Sequence, residues 1–141
     1  DAFRKFADTV GAVALDSSGN IATATSTGGT PNKYPGRVGD SPLIGIGTYA
    51  DNGIGGVSTT GWGESMIKVV MAKTVLDLIE RNGGDAVAAA TQAISHLERK
   101  VGGYGGVIAL GAGGAIGVAY NTPRMARAFL SSDMIEPAVA V

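Results

Sequence analysis

Three hydroxyl-rich stretches mark where nucleophilic chemistry could occur in this sequence. Thr9 opens an apolar run, and the other two stretches are residues 26–29 and 58–61. A threonine hydroxyl is a weak nucleophile unless a base lies beside it, and the α-amine of the same residue can be that base once the preceding bond is cut. Its unperturbed pKa, roughly 7.7–8.0, leaves part of the amine neutral near pH 7. This chemistry requires cleavage between Asp8 and Thr9; taken alone, a threonine here is more often present for its β propensity.

A charged pair lies in the glycine- and proline-rich segment 28–42. Arg37 and Asp40 are three residues apart, and together they could hold the α-carboxylate and the α-ammonium of an amino acid. The alternative is that they pair with each other at the surface, where such ion pairs are common and weak. Thr60 and Gly61 could supply a hydroxyl and an N–H to a developing oxyanion, although Thr-Gly is also an ordinary way to end a strand.

Composition and missing motifs exclude several functions. A net charge of −1 without a basic run gives no electrostatic attraction for nucleic acid or an anionic membrane. Cysteine is absent, which removes disulfides and Cys-ligated zinc, and the single histidine, His96, is predicted to face solvent on a helix. The glycine-rich dinucleotide and phosphate loops and the G-x-S-x-G elbow are also missing. With no apolar stretch long enough to span a membrane and no visible signal peptide, we expect a cytoplasmic location.

The length of 141 residues and the even composition predict one domain or part of one. Hydrophobic periodicity predicts the order strands, helices, strands, which favours an α+β architecture with antiparallel strands and helices gathered on one face. Asp85 is predicted to cap the second helix, whose buried line would run through positions 87, 90, 94, 97 and 101. The predicted strands are 10–15, 21–26, 43–49, 54–58, 105–110 and 115–120, and the predicted helices are 64–81, the segment after Asp85, and a short stretch over 123–130.

Six spaced motifs run from Thr9 to about Phe129: TVGAVALD from Thr9, ATSTGG from Ala24, NK at Asn32 with GRVGDSP from Gly36, YADN from Tyr49, STTG from Ser58 with GE at Gly63, and NT at Asn121. Together these motifs resemble the β subunit of plant-type (type III) L-asparaginases, which are also isoaspartyl peptidases. The resemblance implies an N-terminal-nucleophile hydrolase with an αββα sandwich, of which this chain supplies the β-subunit half. Residues 1–8 would then be the remnant of a linker, and residues 9–141 the catalytic subunit.

The resemblance also implies the catalytic roles. Thr9 would be the nucleophile and the new N-terminus, after the precursor cuts itself between Asp8 and Thr9. Thr27 would hydrogen-bond Thr9 and assist its activation. Thr60 and the Gly61 amide would form the oxyanion hole. Asp8 stands where the family usually has glycine.

Substrate and partner roles follow from the same resemblance. Arg37 would hold the substrate α-carboxylate and Asp40 its α-amine, with Gly61 and Gly63 bordering the substrate. Trp62 is larger than usual for the family, so the outer pocket is expected to differ. The chain would need no cofactor, pair with an α subunit from the same precursor as an (αβ)₂ assembly, and hydrolyse L-asparagine and β-aspartyl dipeptides. A structural sodium is expected in the α part.

Two alternatives remain open at this point. The chain could be an unprocessed or non-catalytic subunit of the same fold that acts as a binding or assembly partner. A glycosylasparaginase would share the nucleophile chemistry, but its threonine-led motif differs from Thr-Val-Gly-Ala-Val.

Overall fold

The computed structural model describes residues 9–141, so Asp8 and the predicted linker remnant at 1–8 lie outside the described residues. Strands and helices alternate in blocks along this part of the chain. Their order is β1 (Thr9–Leu15), β2 (Ile21–Thr27), β3 (Thr48–Asp51), β4 (Gly55–Gly61), α1 (Gly63–Val69), α2 (Met71–Arg81), α3 (Ala86–Val101), β5 (Gly105–Gly111), β6 (Ile116–Tyr120), β7 (Arg127–Phe129) and β8 (Ala138–Ala140).

A four-stranded antiparallel sheet, in the order β3-β4-β5-β6, forms the middle layer. Helices α2 and α3 pack on one of its faces, and the β1–β2 hairpin packs on the other. β4 is buried along most of its length because layers cover both of its faces. The mixed α/β architecture with antiparallel sheets is therefore as predicted. The core between helices and sheet contains Val57, Met66, Met71, Val75, Leu76, Ile79, Ala90, Ile94, Leu97 and Val107.

Two glycines allow the hairpin to lie close to the sheet. A Cβ on Gly56 would lie 2.7 Å from Ile21 and 2.8 Å from Val13, which is closer than side chains can pack. A Cβ on Gly11 would overlap the Ser58 hydroxyl. Small residues at these strand positions therefore bring the second layer onto the central strand that carries the threonines.

The single helix predicted over 64–81 is wrong, because the chain breaks at Val70. Val70 has a φ of +48°, in the left-handed region that a valine rarely occupies. The break lets α2 begin against the loop before β3, where the Lys73 N–H donates to the Gly45 carbonyl at 2.8 Å. Hydrophobic periodicity cannot reveal such a tertiary partner for the free N–H groups of a helix start.

Two other predicted elements are also wrong. The strand predicted over 43–49 is mostly turns, because Gly47 packs on the backbone of Asp40, where a Cβ would lie 2.5 Å from the Asp40 carbonyl oxygen. The helical stretch predicted over 123–130 contains β7 instead, which pairs with β8 near the end of the chain. A three-residue strand in a polar turn region is too short to show a period of two.

Helix α3 follows its prediction closely. The Asp85 carboxylate accepts a hydrogen bond from the Ala88 N–H at 2.9 Å, so the predicted cap is confirmed. Positions 90, 94 and 97 are buried, as predicted. Val87 is 55% exposed, so its place in the predicted buried line is wrong. Alanines at 86, 89 and 93 complete the buried face instead. His96 lies off this face and is partly exposed.

Candidate active site

The pairing of β1 with β2 brings the first two predicted site residues together. Thr9 opens β1, and the register places Thr27 directly opposite it. The Thr9 hydroxyl donates to the Thr27 hydroxyl oxygen at 3.2 Å, and the Gly29 N–H donates to the same oxygen at 3.0 Å. Because Thr27 is held by a backbone amide, its hydroxyl has a defined orientation toward Thr9.

Thr9 borders a small cleft that also contains Thr60. Its volume is about 100 Å³, and strands β1, β4 and β5 and the segment leading into β7 form its walls. The proposed nucleophile and one proposed oxyanion donor therefore share one cavity. The remaining lining residues are Gly11, Ser58, Thr59, Gly106, Ile108, Met125, Ala126, Arg127 and Ala128.

Gly61 follows Thr60 in β4 but is not among the residues that line this cleft. It has a φ of +146°, and a Cβ there would lie 2.5 Å from the Tyr104 carbonyl oxygen and 2.6 Å from Met66. Both the backbone conformation and the close packing therefore require glycine. The use of its amide as an oxyanion donor stays a prediction.

Behind the cleft, hydroxyl groups join the hairpin to the central sheet. The Ser58 and Thr25 hydroxyls lie 2.6 Å apart, and Thr25 also donates to the Gly47 carbonyl at 3.2 Å. Thr48 donates to Thr23 at 2.7 Å in the same interface. Ser58 is a lining residue that the sequence reasoning did not single out, although it belongs to the Ser-Thr-Thr-Gly motif. These bonds fix the height of the hairpin, and thus of Thr9, above β4.

Arg37 binds Glu64 rather than Asp40. Its Nε and Nη2 atoms donate to the two carboxylate oxygens of Glu64, each at 2.9 Å. This bidentate bond lowers the pKa of Glu64 and raises that of Arg37. The alternative of an Arg37–Asp40 surface pair is therefore wrong. Glu64 was missed as a site residue, although a carboxylate in the first turn of α1, directly after Gly63, is a recognisable signal.

Asp40 is buried, with only 6% of its surface exposed. The Thr59 hydroxyl donates to its carboxylate at 3.3 Å. Burial raises the pKa of Asp40, and hydrogen bonds and the nearby Arg37 charge only partly oppose this effect. Thr59 directly precedes Thr60 in β4, so this hydrogen bond links Asp40 to the strand that carries the predicted oxyanion donor Thr60.

Arg37 and Asp40 converge at Gly63, the first residue of α1. A Cβ there would lie 2.9 Å from Nη2 of Arg37 and 3.0 Å from Oδ1 of Asp40. Any side chain at position 63 would displace one of these two charged groups, which explains why this residue is glycine. The structure therefore brings Arg37, Asp40 and Gly63 together as a second cluster, next to β4 but separate from the lining of the Thr9 cleft.

A second cleft, of about 280 Å³, lies near the opposite end of β4, around Gly53 and Ile54. Glu80 is the one ionisable residue among its lining residues, so it offers little chemistry. Within residues 9–141, no group of three or more His, Cys, Asp and Glu side chains could hold a metal ion. In the same part of the chain, no helix is both long and apolar enough to cross a membrane.

Comparison with known proteins identifies the family. A family model described as "Asparaginase" matches residues 2–139. This chain therefore belongs to the asparaginase family to which that model corresponds, and the resemblance predicted from its six motifs is confirmed.

Curated relatives carry consistent names. The chain is 50% identical over 123 residues to the plant-type L-asparaginase of Pyrobaculum calidifontis, covering 86% of this chain and 41% of that protein. It is 46% identical over 127 residues to the isoaspartyl peptidase/L-asparaginase of Xenopus laevis, covering 90% and 41%. It is 56% identical over 100 residues to the protein of the same name from Homo sapiens, covering 71% and 32%. The chain thus spans well under half the length of these relatives.

Proposed function

We propose that this chain is the catalytic β subunit of an amidohydrolase that cleaves the side-chain amide of L-asparagine and the β-aspartyl bond of isoaspartyl dipeptides. The observation that carries the proposal is the contact between the Thr9 and Thr27 hydroxyls at the edge of a cleft shared with Thr60. Membership of the asparaginase family and the names of the relatives support the same substrate class.

The reaction begins with a cut between Asp8 and Thr9, which frees the Thr9 amine. Thr9 Oγ1 then attacks the β-carbonyl carbon of the substrate while its own amine takes the hydroxyl proton. The Thr60 hydroxyl and the Gly61 N–H stabilise the negative charge that develops on the carbonyl oxygen. Ammonia or an α-amino acid leaves with the proton, and water then releases aspartate from the acyl-enzyme.

The charged cluster holds the backbone end of the aspartyl group. Glu64 accepts one hydrogen bond each from Nε and Nη2 of Arg37, so the remaining N–H groups of Nη1 and Nη2 are those that meet the substrate α-carboxylate. Asp40 accepts from the α-ammonium, which requires the ionised carboxylate despite its raised pKa. The convergence of Arg37 and Asp40 at Gly63 supports this assignment. It places a positive and a negative side chain next to each other, which matches the adjacent α-carboxylate and α-ammonium of an amino acid.

A partner chain completes the fold in this proposal. The outer face of the hairpin carries Val10, which is 67% exposed, and four exposed alanines at positions 12, 14, 22 and 24. An α subunit from the same precursor would cover this apolar face, complete an αββα sandwich and form an (αβ)₂ assembly. A structural sodium would belong to that subunit, and the assembled enzyme would act in the cytoplasm.

Intact-mass analysis and a substrate panel test the proposal together. The precursor is purified and incubated, and its products are assayed with L-asparagine and with β-aspartyl dipeptides. We expect a new terminus at Thr9 and release of ammonia or of the free amino acid. A stable bond between Asp8 and Thr9, with no turnover of either substrate, would instead support a non-catalytic subunit.

A further inference from the structure

An arginine that the proposed mechanism does not use lines the same cleft as Thr9. Arg127 lies at the start of β7, and Thr9 and Thr60 are among the other lining residues. The proposed attack, proton transfer and oxyanion stabilisation need no arginine in this lining. Its position calls for a separate role.

Arg127 is held in place without a carboxylate partner. Its Nη1 atom donates to the Met125 carbonyl at 3.0 Å and to the Tyr120 hydroxyl at 3.4 Å. Its guanidinium carbon lies 5.3 Å from the centroid of the Tyr120 ring, a cation–π arrangement. The ion pairs found within residues 9–141 are Arg37–Glu64 and Lys73–Asp77, so its charge is not neutralised there by an acidic side chain.

The two arginines are associated with different strands of the central sheet. Arg37 lies with Asp40, which is bonded to Thr59 on β4. Arg127 is bonded to Tyr120 on β6, and β5 separates β4 from β6 in the strand order. Thr9 borders the cleft that β4 and β5 line, and across this part of the sheet Thr60 pairs with Gly106, which pairs in turn with Tyr120.

A β-aspartyl dipeptide carries two carboxylates, one on each side of the bond that breaks. The α-carboxylate of its aspartyl residue lies on one side, and the carboxylate of the leaving amino acid lies on the other. With the aspartyl end at Arg37 and the carbonyl carbon at Thr9, the second carboxylate points to the Arg127 side. L-Asparagine has no such group because its leaving group is ammonia.

We propose that Arg127 binds the carboxylate of the leaving amino acid and so favours β-aspartyl peptides with a free C-terminus. This inference rests on the proposed function, since it assumes that Thr9 attacks the β-carbonyl. A planar guanidinium already fixed by Met125 and Tyr120 would lose little rotamer freedom on binding a carboxylate. Arg127 is then a specificity residue rather than a part of the bond-breaking chemistry.

The test compares a β-aspartyl dipeptide with the same dipeptide bearing a C-terminal amide, using the processed and assembled enzyme. The wild type should show a kcat/KM for the free acid about tenfold above that for the amide, as expected for one charged hydrogen bond. Arg127→Gln should bring this ratio close to one, and Arg127→Lys should give an intermediate ratio. Arg124→Gln, which removes the same charge from an exposed position outside the cleft lining, should keep the wild-type ratio.

Other outcomes would overturn the inference. A wild-type ratio near one, or a ratio that Arg127→Gln leaves unchanged, would show that the leaving carboxylate is not recognised there. Equal losses on both peptides would mean that Arg127 only shapes the cleft through Tyr120. Each of these results still leaves asparagine hydrolysis intact in the wild type, whereas loss of all wild-type turnover would contradict the proposed function itself. If Arg127→Gln fails to assemble, the ratio for Arg127→Lys decides.

Discussion

The hydroxyl cluster of Thr9, Thr27 and Thr60 and the charged cluster of Arg37, Asp40 and Glu64 are held by different kinds of structure. The hydroxyl cluster lies on strands, and strand register alone places Thr9 opposite Thr27. The charged cluster draws two residues from the long loop before β3 and one from the first turn of α1. Each loop residue is fixed by a side-chain partner, Glu64 for Arg37 and Thr59 for Asp40.

This difference separates the geometry that breaks the bond from the geometry that chooses the substrate. Ladder hydrogen bonds and a packed layer hold the hydroxyls, so substitutions elsewhere should move them little. Each charged loop side chain depends on a side-chain partner, Glu64 or Thr59, so changing that partner should shift binding while leaving the chemical step in place. The two clusters should therefore respond to mutation in different kinetic parameters.

The largest effect is expected at Thr9. Thr9→Ala removes the hydroxyl that attacks in both self-cleavage and turnover, so both should fall by at least about 10³-fold. Intact mass and ammonia release from L-asparagine measure the two losses. Thr9→Ser is the control, because it keeps a hydroxyl and an amine on one residue and should retain detectable activity. Undiminished ammonia release from the alanine variant would refute the assignment of the nucleophile.

Arg37→Ala should weaken substrate binding. Loss of the guanidinium removes a charge-assisted bond to the α-carboxylate, so KM should rise by roughly tenfold or more, with a smaller change in kcat. Steady-state kinetics with L-asparagine measures the split between the two parameters. Arg81→Ala, at the exposed end of α2, is the control for lost positive charge. An unchanged KM would reassign Arg37 to a purely structural pair with Glu64.

How far the sequence could predict each cluster follows from the same distinction. The contact between Thr9 and Thr27 was implied by the family resemblance, whereas the strands predicted over 10–15 and 21–26 stop just short of both threonines. The turn residues between these strands favour a hairpin, and the register of that hairpin places the two threonines opposite each other. The partner of Arg37 could not be predicted. Asp40 is the nearer acidic residue along the sequence, but Glu64 is the one whose carboxylate Arg37 contacts. The prediction of one continuous helix across Val70 failed for a related reason. The loop whose carbonyls accept from the first N–H groups of α2 lies more than twenty residues earlier in the sequence.

Glu64→Gln is expected to act on Arg37 at a distance from the bond-breaking chemistry. The amide removes the charge that holds Nε and Nη2, so Arg37 should lose its fixed orientation and KM should rise about threefold. The change in kcat should be small. Glu98→Gln, at an exposed position on α3, is the matched control. A fall in KM would show the opposite relationship, in which Glu64 competes with the substrate carboxylate for Arg37.

The smallest effect expected is a pH dependence of stability that has opposite signs at two aspartates. Burial raises the folded-state pKa of Asp40, so its contribution to stability is fully present below the unfolded value of about 3.9 and is lost as the pH rises through the folded value. Hydrogen bonds from Asn20 lower the pKa of Asp16 in the hairpin turn, so its contribution is present above the unfolded value and is lost as the pH falls.

Urea unfolding of the wild type, Asp40→Asn and Asp16→Asn between about pH 2.5 and pH 8 measures both signs, because the Asp16 effect lies below its unfolded value. Relative to Asp40→Asn, the wild type should lose stability with rising pH, by less than the roughly 1 kcal/mol of a typical point mutation. Relative to Asp16→Asn, it should gain stability over the acid part of that range. If the wild type gains stability with rising pH relative to both variants, the Arg37 charge has a larger effect on the pKa of Asp40 than burial has. The folded state would then favour the ionised carboxylate of Asp40, which is the form that binding of the substrate α-ammonium requires.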